Sequence, residues 1–219
     1  MGKNRTVIEK CKEEKDLGVI FDGKLSFDKH IHEAISKANQ ILGIRKRSFT
    51  YMDKEIFLNL YKSMVRPHLE YGNTIWGFPN RKGQSASLEK VQRRATRILP
   101  ELRDLDYAER LRCLNLPSLK YRRFRGDMIQ TYKIIYHVDD VCSSNFFRLN
   151  KTISTRSSEV DLYPVHMKLN IRKFSFSNRV INAWNSLTYL TKTAPDLNRF
   201  KALLDCDPKT SVKMYDYDE

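Results

Sequence analysis

The chain has 219 residues, 41% of them hydrophobic, enough apolar material for a packed core and too much for a globally disordered polypeptide. Its 8 glycines and 7 prolines are few for a loop-rich all-β fold, and no apolar run approaches the ~20 residues that span a bilayer. Forty Lys and Arg against 26 Asp and Glu leave a net charge of +14, a balance that fits a polyanion partner, nucleic acid above all, although a basic surface with no dedicated partner has the same composition.

The excess is uneven. Residues 29–100 carry 14 basic and 5 acidic side chains, and residues 151–204 carry 9 and 3. Residues 205–219 reverse the sign, with 2 basic and 5 acidic.

Residues 1–15 are polar and read as an N-terminal tail. Their charges do not fit a secretory signal, so an intracellular place is expected, with nucleus and cytoplasm not distinguished. Leu17–Phe21 and Lys24–Phe27 are β-prone and flank Asp22-Gly23, a hairpin signal because Asp-Gly supplies the positive φ of a tight primed turn. A helix should follow, capped by Asp28, with Ile31, Ala34, Ile35, Ala38, Ile41 and Leu42 on one face. The next has Thr50 and Asp53 in capping-box spacing and a stripe of Ile56, Phe57, Leu60, Tyr61, Met64 and Val65. Pro67 should kink or end it. Tyr71 to Phe78 should fold back on the bundle.

The third helix, Ser87 to Leu99, has Leu88, Val91, Ala95, Ile98 and Leu99 on one side. Lys90, Arg93, Arg94 and Arg97 stand on the other at i, i+3, i+4 and i+7. Like charges so spaced repel by a few tenths of a kcal/mol per pair. A solvated face usually mixes signs, so the uniform stripe points to phosphate.

After Pro100 comes a short helix with Asp106 and Glu109 in capping-box spacing. Pro117 opens a longer one to about His137. Lys120, Arg122, Arg123 and Arg125 crowd its first turns, where the helix dipole disfavours cations and calls for an anion or an acidic neighbour. Residues 139–172 read as a long loop with a short hairpin around Leu162 to Ile171. Two helices close the chain. Phe176, Val180, Trp184 and Leu187 line one. Leu197, Phe200, Leu203 and Leu204 line the other, with Thr193 and Asp196 as its capping box. The acidic tail from Asp205 should be loose. Rings interleave with cations at Lys120–Arg125 and at Arg172-Lys173-Phe174-Ser175-Phe176, the composition of single-strand or RNA contacts. Phe124 and Phe176 fall on helical stripes and belong to the core; the arginines belong to the surface.

Catalytic patterns are missing. Asp139-Asp140, the one adjacent carboxylate pair weighed as a metal site, sits at a helix end and reads as a turn. His30 and His32 point to different faces of a helix, and His68 reads as a packed, hydrogen-bonded histidine. Cys11, Cys113, Cys142 and Cys206 lack metal or disulfide spacing and read as buried or idle reduced thiols. No catalytic residue, metal ligand or cofactor is expected in this chain.

Five segments carry a family resemblance: DLGVIFDGKLSFDKHIHEAISKANQILGIRKRSF, DKEIFLNLYKSMVRPHLEYGNTIWG, SLEKVQRRATRIL, ERLRCLNLPSLKYRRFRGDMIQTYKI and FSNRVINAWNSL. They resemble the C-terminal part of the reverse transcriptases of jockey-like, LINE-type non-LTR retrotransposons, from about Lys15 to Leu204. The resemblance implies that Leu17, Gly18 and Val19 belong to a primer-grip hairpin and that Asp28 to Pro100 form a thumb. Leu116 to Ile134 and Phe174 to Leu187 would form the family's C-terminal extension. The ligands implied are RNA and RNA/DNA hybrid or DNA, with Mg²⁺ and dNTPs used by the parent polymerase. The family's fingers and palm would lie upstream of Met1. The family's Leu-Pro after Trp-Asn-Ser is Leu187-Thr188 here, and its Thr-Arg-Gly is Thr155-Arg156-Ser157.

The expected fold is therefore mostly α. Residues 1–15 form a tail. Residues 16–100 form one N-terminal β-hairpin and a thumb-like helical bundle. Residues 101–204 form a C-terminal helical extension with a loop near 139–172, and residues 205–219 an acidic tail. The expected function is binding of nucleic-acid backbone without polymerase activity of its own. The alternatives are a domesticated helical protein-interaction module and an incomplete reading of a full polymerase gene. Val19, Phe21 and Leu25 on an uncovered hairpin edge would also predict self-association.

Overall fold

The computed structural model describes residues 11–48, 53–77, 82–150 and 160–217; most of them are helical, and one two-stranded antiparallel hairpin opens the fold. Strand β1 (Glu13–Asp16) pairs with β2 (Val19–Asp22) in the register Glu13 with Asp22 through Asp16 with Val19. The turn is Leu17-Gly18, with φ of 44° and 83°. Positive φ at both central residues is what a two-residue primed turn requires.

The hairpin thus closes one strand earlier than Asp22-Gly23 predicted, and Glu13–Lys15 are strand rather than tail. The reason is Asp22. Its carboxylate accepts the backbone N–H groups of Lys24 at 2.9 Å, Ser26 at 2.8 Å and Phe27 at 2.8 Å, and the Ser26 hydroxyl at 2.9 Å. That wraps the chain into a local loop instead of a second strand.

Helix α1 (Asp28–Ser48) buries Ile31, Ala34, Ala38 and Leu42, with Ile35 and Ile41 half-buried. Helix α2 (Lys54–Leu60) is capped by Asp53 itself, which accepts the Ile56 N–H at 2.7 Å; Thr50 lies outside the described residues. Phe57, Tyr61, Val65 and Leu69 face the core, while Ile56 and Met64 are exposed. Pro67 does not stop the helix. One π-helical turn, Tyr61–Val65, precedes it, the Arg66 N–H returns to the Tyr61 carbonyl, and α3 (Arg66–Glu70) follows. A proline supplies no N–H and crowds the carbonyl four residues back, and a widened turn is one way to absorb both.

Gly72, at φ 66°, turns the chain into α4 (Asn73–Trp76), and Trp76 is buried with its indole N–H donating to the Tyr71 carbonyl at 2.6 Å. Phe78 lies outside the described residues. Helix α5 (Lys82–Thr96) starts earlier than predicted. After a 3₁₀ turn at Pro100–Leu102, α6 (Tyr107–Leu114) carries both arms of the Asp106–Glu109 capping box. Helix α7 (Leu119–Ile135) is capped by Ser118.

Beyond α7, among the described residues, the predicted hairpin at 162–171 is replaced by one antiparallel bridge, Leu149 with Leu162. Then come α8 (Asn170–Lys173), α9 (Phe176–Ser186), α10 (Tyr189–Lys192), α11 (Leu197–Cys206) and α12 (Pro208–Ser211). Asp196 alone caps α11, accepting the Arg199 N–H at 2.8 Å.

Two apolar clusters hold these elements. The first runs from Val19 to Leu119, so Tyr107, Leu111, Leu114 and Leu116 continue the core past residue 100, where the sequence suggested a division. The second gathers Met128, Tyr132, Val180, Trp184, Phe200 and Leu204, with Phe124 and Phe176 half-buried against it. Helix α7 contributes to both.

The described part of the acidic tail, residues 205–217, is docked rather than loose. Asp205 pairs with Arg125. Asp207 is buried and accepts from the Thr188 N–H and the Thr191 hydroxyl, both at 3.1 Å. Tyr215 and Tyr217 pack against the first core.

Candidate nucleic-acid interface

Helix α5 packs against α1, α6 and α7. Leu88, Val91 and Ala95 are buried, and so are the polar Glu89 and Gln92. That leaves Lys90, Arg94 and Arg97 exposed at i, i+4 and i+7 on the outer face. None of the three has an ion-pair partner among the described residues. Arg94 donates to the Asn39 side-chain oxygen at 3.2 Å, which places the row beside a shallow groove on α1 lined by Ser36, Asn39, Gln40 and Gly43.

Arg93 is different. Its guanidinium carbon lies 5.1 Å from the Tyr107 ring centre and 5.2 Å from that of Tyr217, and its Nε is buried with no hydrogen-bond partner. It is half-buried, lying against two rings that themselves meet edge-on. Behind it lies Arg110, buried, donating to the Thr96 hydroxyl at 3.1 Å and the Leu105 carbonyl at 2.7 Å. Burial, and then the charges of Arg97 and Arg93, push the Arg110 pKa down. Three cations therefore concentrate positive potential around this end of α5.

The cations predicted at the start of α7 mostly face inward. Arg122 forms a two-pronged pair with Glu70, its Nη2 2.8 Å from Oε2. Arg125 does the same with Asp205, at 2.6 and 2.8 Å. Arg123 donates to the Ser85 hydroxyl. The helix dipole is answered by Glu89, whose buried carboxylate accepts the Leu119 N–H at 3.2 and 3.1 Å and the Tyr107 hydroxyl at 2.5 Å. Burial raises the Glu89 pKa against the pull of these bonds. So the acidic neighbour that these cations require belongs to the protein. Arg122, Arg123 and Arg125, expected at the nucleic-acid surface, are half-buried and held by partners within the protein; Lys120 is exposed.

Arg172 and Lys173 are both exposed on α8, which packs on α9 in the second half of the fold, with the Lys173 ammonium 5.6 Å from the Phe174 ring centre. In the hairpin, Leu17 is 84% exposed at the tip and its carbonyl accepts the Tyr71 hydroxyl at 2.6 Å. Val19, expected on an uncovered edge, is 1% exposed. The free strand is β1, whose Glu13, Glu14, Lys15 and Asp16 are exposed and charged, a pattern that discourages edge pairing. The apolar edge on which self-association was predicted is therefore not formed by Val19.

His30 is buried 5.6 Å from the Trp76 ring, and burial lowers its pKa. His68, predicted to be packed, is exposed, and all four cysteines are exposed and free. Among the described residues no group of three or more His, Cys, Asp and Glu is placed to hold a metal ion, and no helix is long and apolar enough to cross a membrane.

Sequence reasoning missed Glu89, Arg110, Asp127 and Arg179. The available signal for Glu89 was one acid inside a basic helix, 30 residues from the N–H it caps.

No family model matches the chain, and no solved structure matches it. An uncharacterized protein of Caenorhabditis elegans is 31% identical over 137 residues, which cover 58% of this chain and 66% of that protein. The chain thus spans just under two thirds of the length of that relative.

Proposed function

We propose that this chain binds the phosphate backbone of RNA or RNA/DNA hybrid, as the thumb and C-terminal region of a jockey-like retrotransposon reverse transcriptase. The observation that carries the reading is the exposed row Lys90, Arg94 and Arg97, along the outer face of α5 and the turn that follows it, with cations of one sign and no acidic partner among the described residues. The net charge of +14 and the family motifs support it. Backbone contacts position a duplex without reading its sequence, so little base preference is expected. A second reading, a protein-interaction module, has support of its own: Tyr163, Val165, Leu169 and Ile171 are exposed around α8.

The test is the triple variant Lys90→Ala, Arg94→Ala, Arg97→Ala, compared with wild type by fluorescence anisotropy on hybrid, duplex and single-stranded RNA over a salt series. Three lost phosphate contacts should flatten the slope of log K against log salt by roughly 2–3 units, with unchanged melting. An unchanged slope would show that the row is only solvated, and would favour the interaction module.

A further inference from the structure

Residues 212–217 lie across a cationic, aromatic surface formed by α5, α6 and the start of α7. No helix or strand forms in them; they run as turns and extended chain. The Met214 carbonyl accepts the Ser118 N–H at 2.9 Å. Tyr217 covers Arg93 and meets Tyr107 edge-on, ring centres 4.8 Å apart. Tyr215 stacks 5.9 Å from the Arg112 guanidinium. Asp216 lines a hollow of 530 Å³ together with Arg112, Lys120 and both tyrosines.

Each element has a counterpart in a single-stranded nucleic acid. A ring over a guanidinium stands where a base would stack, and a carboxylate on the wall of the same hollow as Arg112 and Lys120 stands where a phosphate could enter. The surface beneath continues the row on α5, because Arg93 belongs to that helix. We infer that residues 212–217 are a displaceable strap, and that the face beneath it, formed by Arg93, Tyr107, Arg112 and Lys120, is a second contact surface for single-stranded RNA. The inference rests on the nucleic-acid reading above and adds a place and a gate to it. Segments with few backbone bonds to the body of a fold open at low cost, and a closed gate reduces apparent affinity by the fraction of molecules that are open.

The test uses the full-length chain carrying Tyr215→Ser and Tyr217→Ser, titrated against labelled oligouridylate. Losing two cation–π contacts should tighten binding by roughly fivefold or more. In parallel, amide exchange at Ser118 is followed in wild-type protein with and without oligouridylate. Displacement of the strap breaks the bond to Met214, so Ser118 should lose protection when RNA binds. This second measurement decides the matter alone if the double variant does not fold. Wild-type binding that depends on Lys90, Arg94 and Arg97, with no gain in the tyrosine variant and unchanged exchange at Ser118, overturns the strap and leaves the earlier reading standing. No oligouridylate binding by either protein overturns the strap, and no binding of hybrid or duplex either overturns both.

Discussion

Arg179 grips Asp127 through two parallel hydrogen bonds, Nε to Oδ2 at 2.9 Å and Nη2 to Oδ1 at 2.8 Å, and the same Nη2 reaches the Thr74 carbonyl at 2.9 Å. One side chain of α9 therefore fastens α7 and the Thr74 carbonyl of α4. The Arg179 side chain is 3% exposed and that of Asp127 13%, so the pair is largely withdrawn from water. Burial raises the Asp127 pKa, and the guanidinium offsets only part of that.

Arg179→Ala should cost on the order of 3 kcal/mol, because it leaves a buried carboxylate without its partner. Arg179→Lys should recover little, since an ammonium cannot make the parallel fork. Replacing both members, Arg179→Met with Asp127→Leu, should cost less than the single alanine. Urea midpoints of the three variants check the order. A single alanine variant as stable as wild type would mean that the pair only decorates the junction.

Val19→Lys should unfold the hairpin rather than disperse an aggregate. Val19 is 1% exposed, and its Cγ2 lies 3.0 Å from where a Cβ on Gly72 would stand, so a lysine has no room. The expected loss is on the order of 3 kcal/mol. Sedimentation of folded variant at wild-type stability, with less self-association than wild type, would restore the exposed-edge view.

Asp22 should give the protein an acid-sensitive joint. Burial alone would raise its carboxyl, but the N–H groups of Ser26 and Phe27, the Ser26 hydroxyl and the N–H of Lys24 together hold it at about 2, below its ordinary 3.8. A folded-state value lower than the unfolded one means that folding favours the ionised form. The stability so contributed is complete above about pH 4 and is lost as pH falls through about 2. Asp22→Asn should therefore cost about 1–2 kcal/mol near neutrality and almost nothing at the acid end. Urea unfolding of both proteins across that range measures the closing gap. A gap independent of pH would assign the effect to shape, not charge.

Much of the helical order was legible because its signals are local. Asp106 and Glu109 cap α6 as their spacing predicts, and Ile31, Ala34, Ala38 and Leu42 fall on the buried face of α1. The hairpin was misread because two turn signals compete within six residues, and the choice between them depends on where the Asp22 carboxylate finds its donors. The candidate site was legible only in part. Periodicity places Lys90, Arg93, Arg94 and Arg97 on one side of a helix, yet it cannot show that Tyr107 and Tyr217 arrive from distant segments and cover Arg93. Glu70 and Asp205, which absorb Arg122 and Arg125, stand 52 and 80 residues from their partners. Such pairings exist only once tertiary packing has brought the segments together.

The π turn ahead of Pro67 sets a phase. The buried residues Phe57, Tyr61, Val65 and Leu69 are spaced strictly by four. In an unbroken α-helix each step of four overshoots a full turn by about 40°, so Leu69 would drift about 120° away from Phe57. One wide turn takes in an extra residue and returns nearly all of that rotation, keeping the four side chains on a single line. The segment thus works as a ratchet with one slipped tooth. Tightening that turn to a regular α turn with the chain length unchanged would swing Leu69, and everything carried after it up to Trp76, about 100° off the core, whereas deleting one residue between Tyr61 and Val65 would let the helix close regularly with Leu69 near its line.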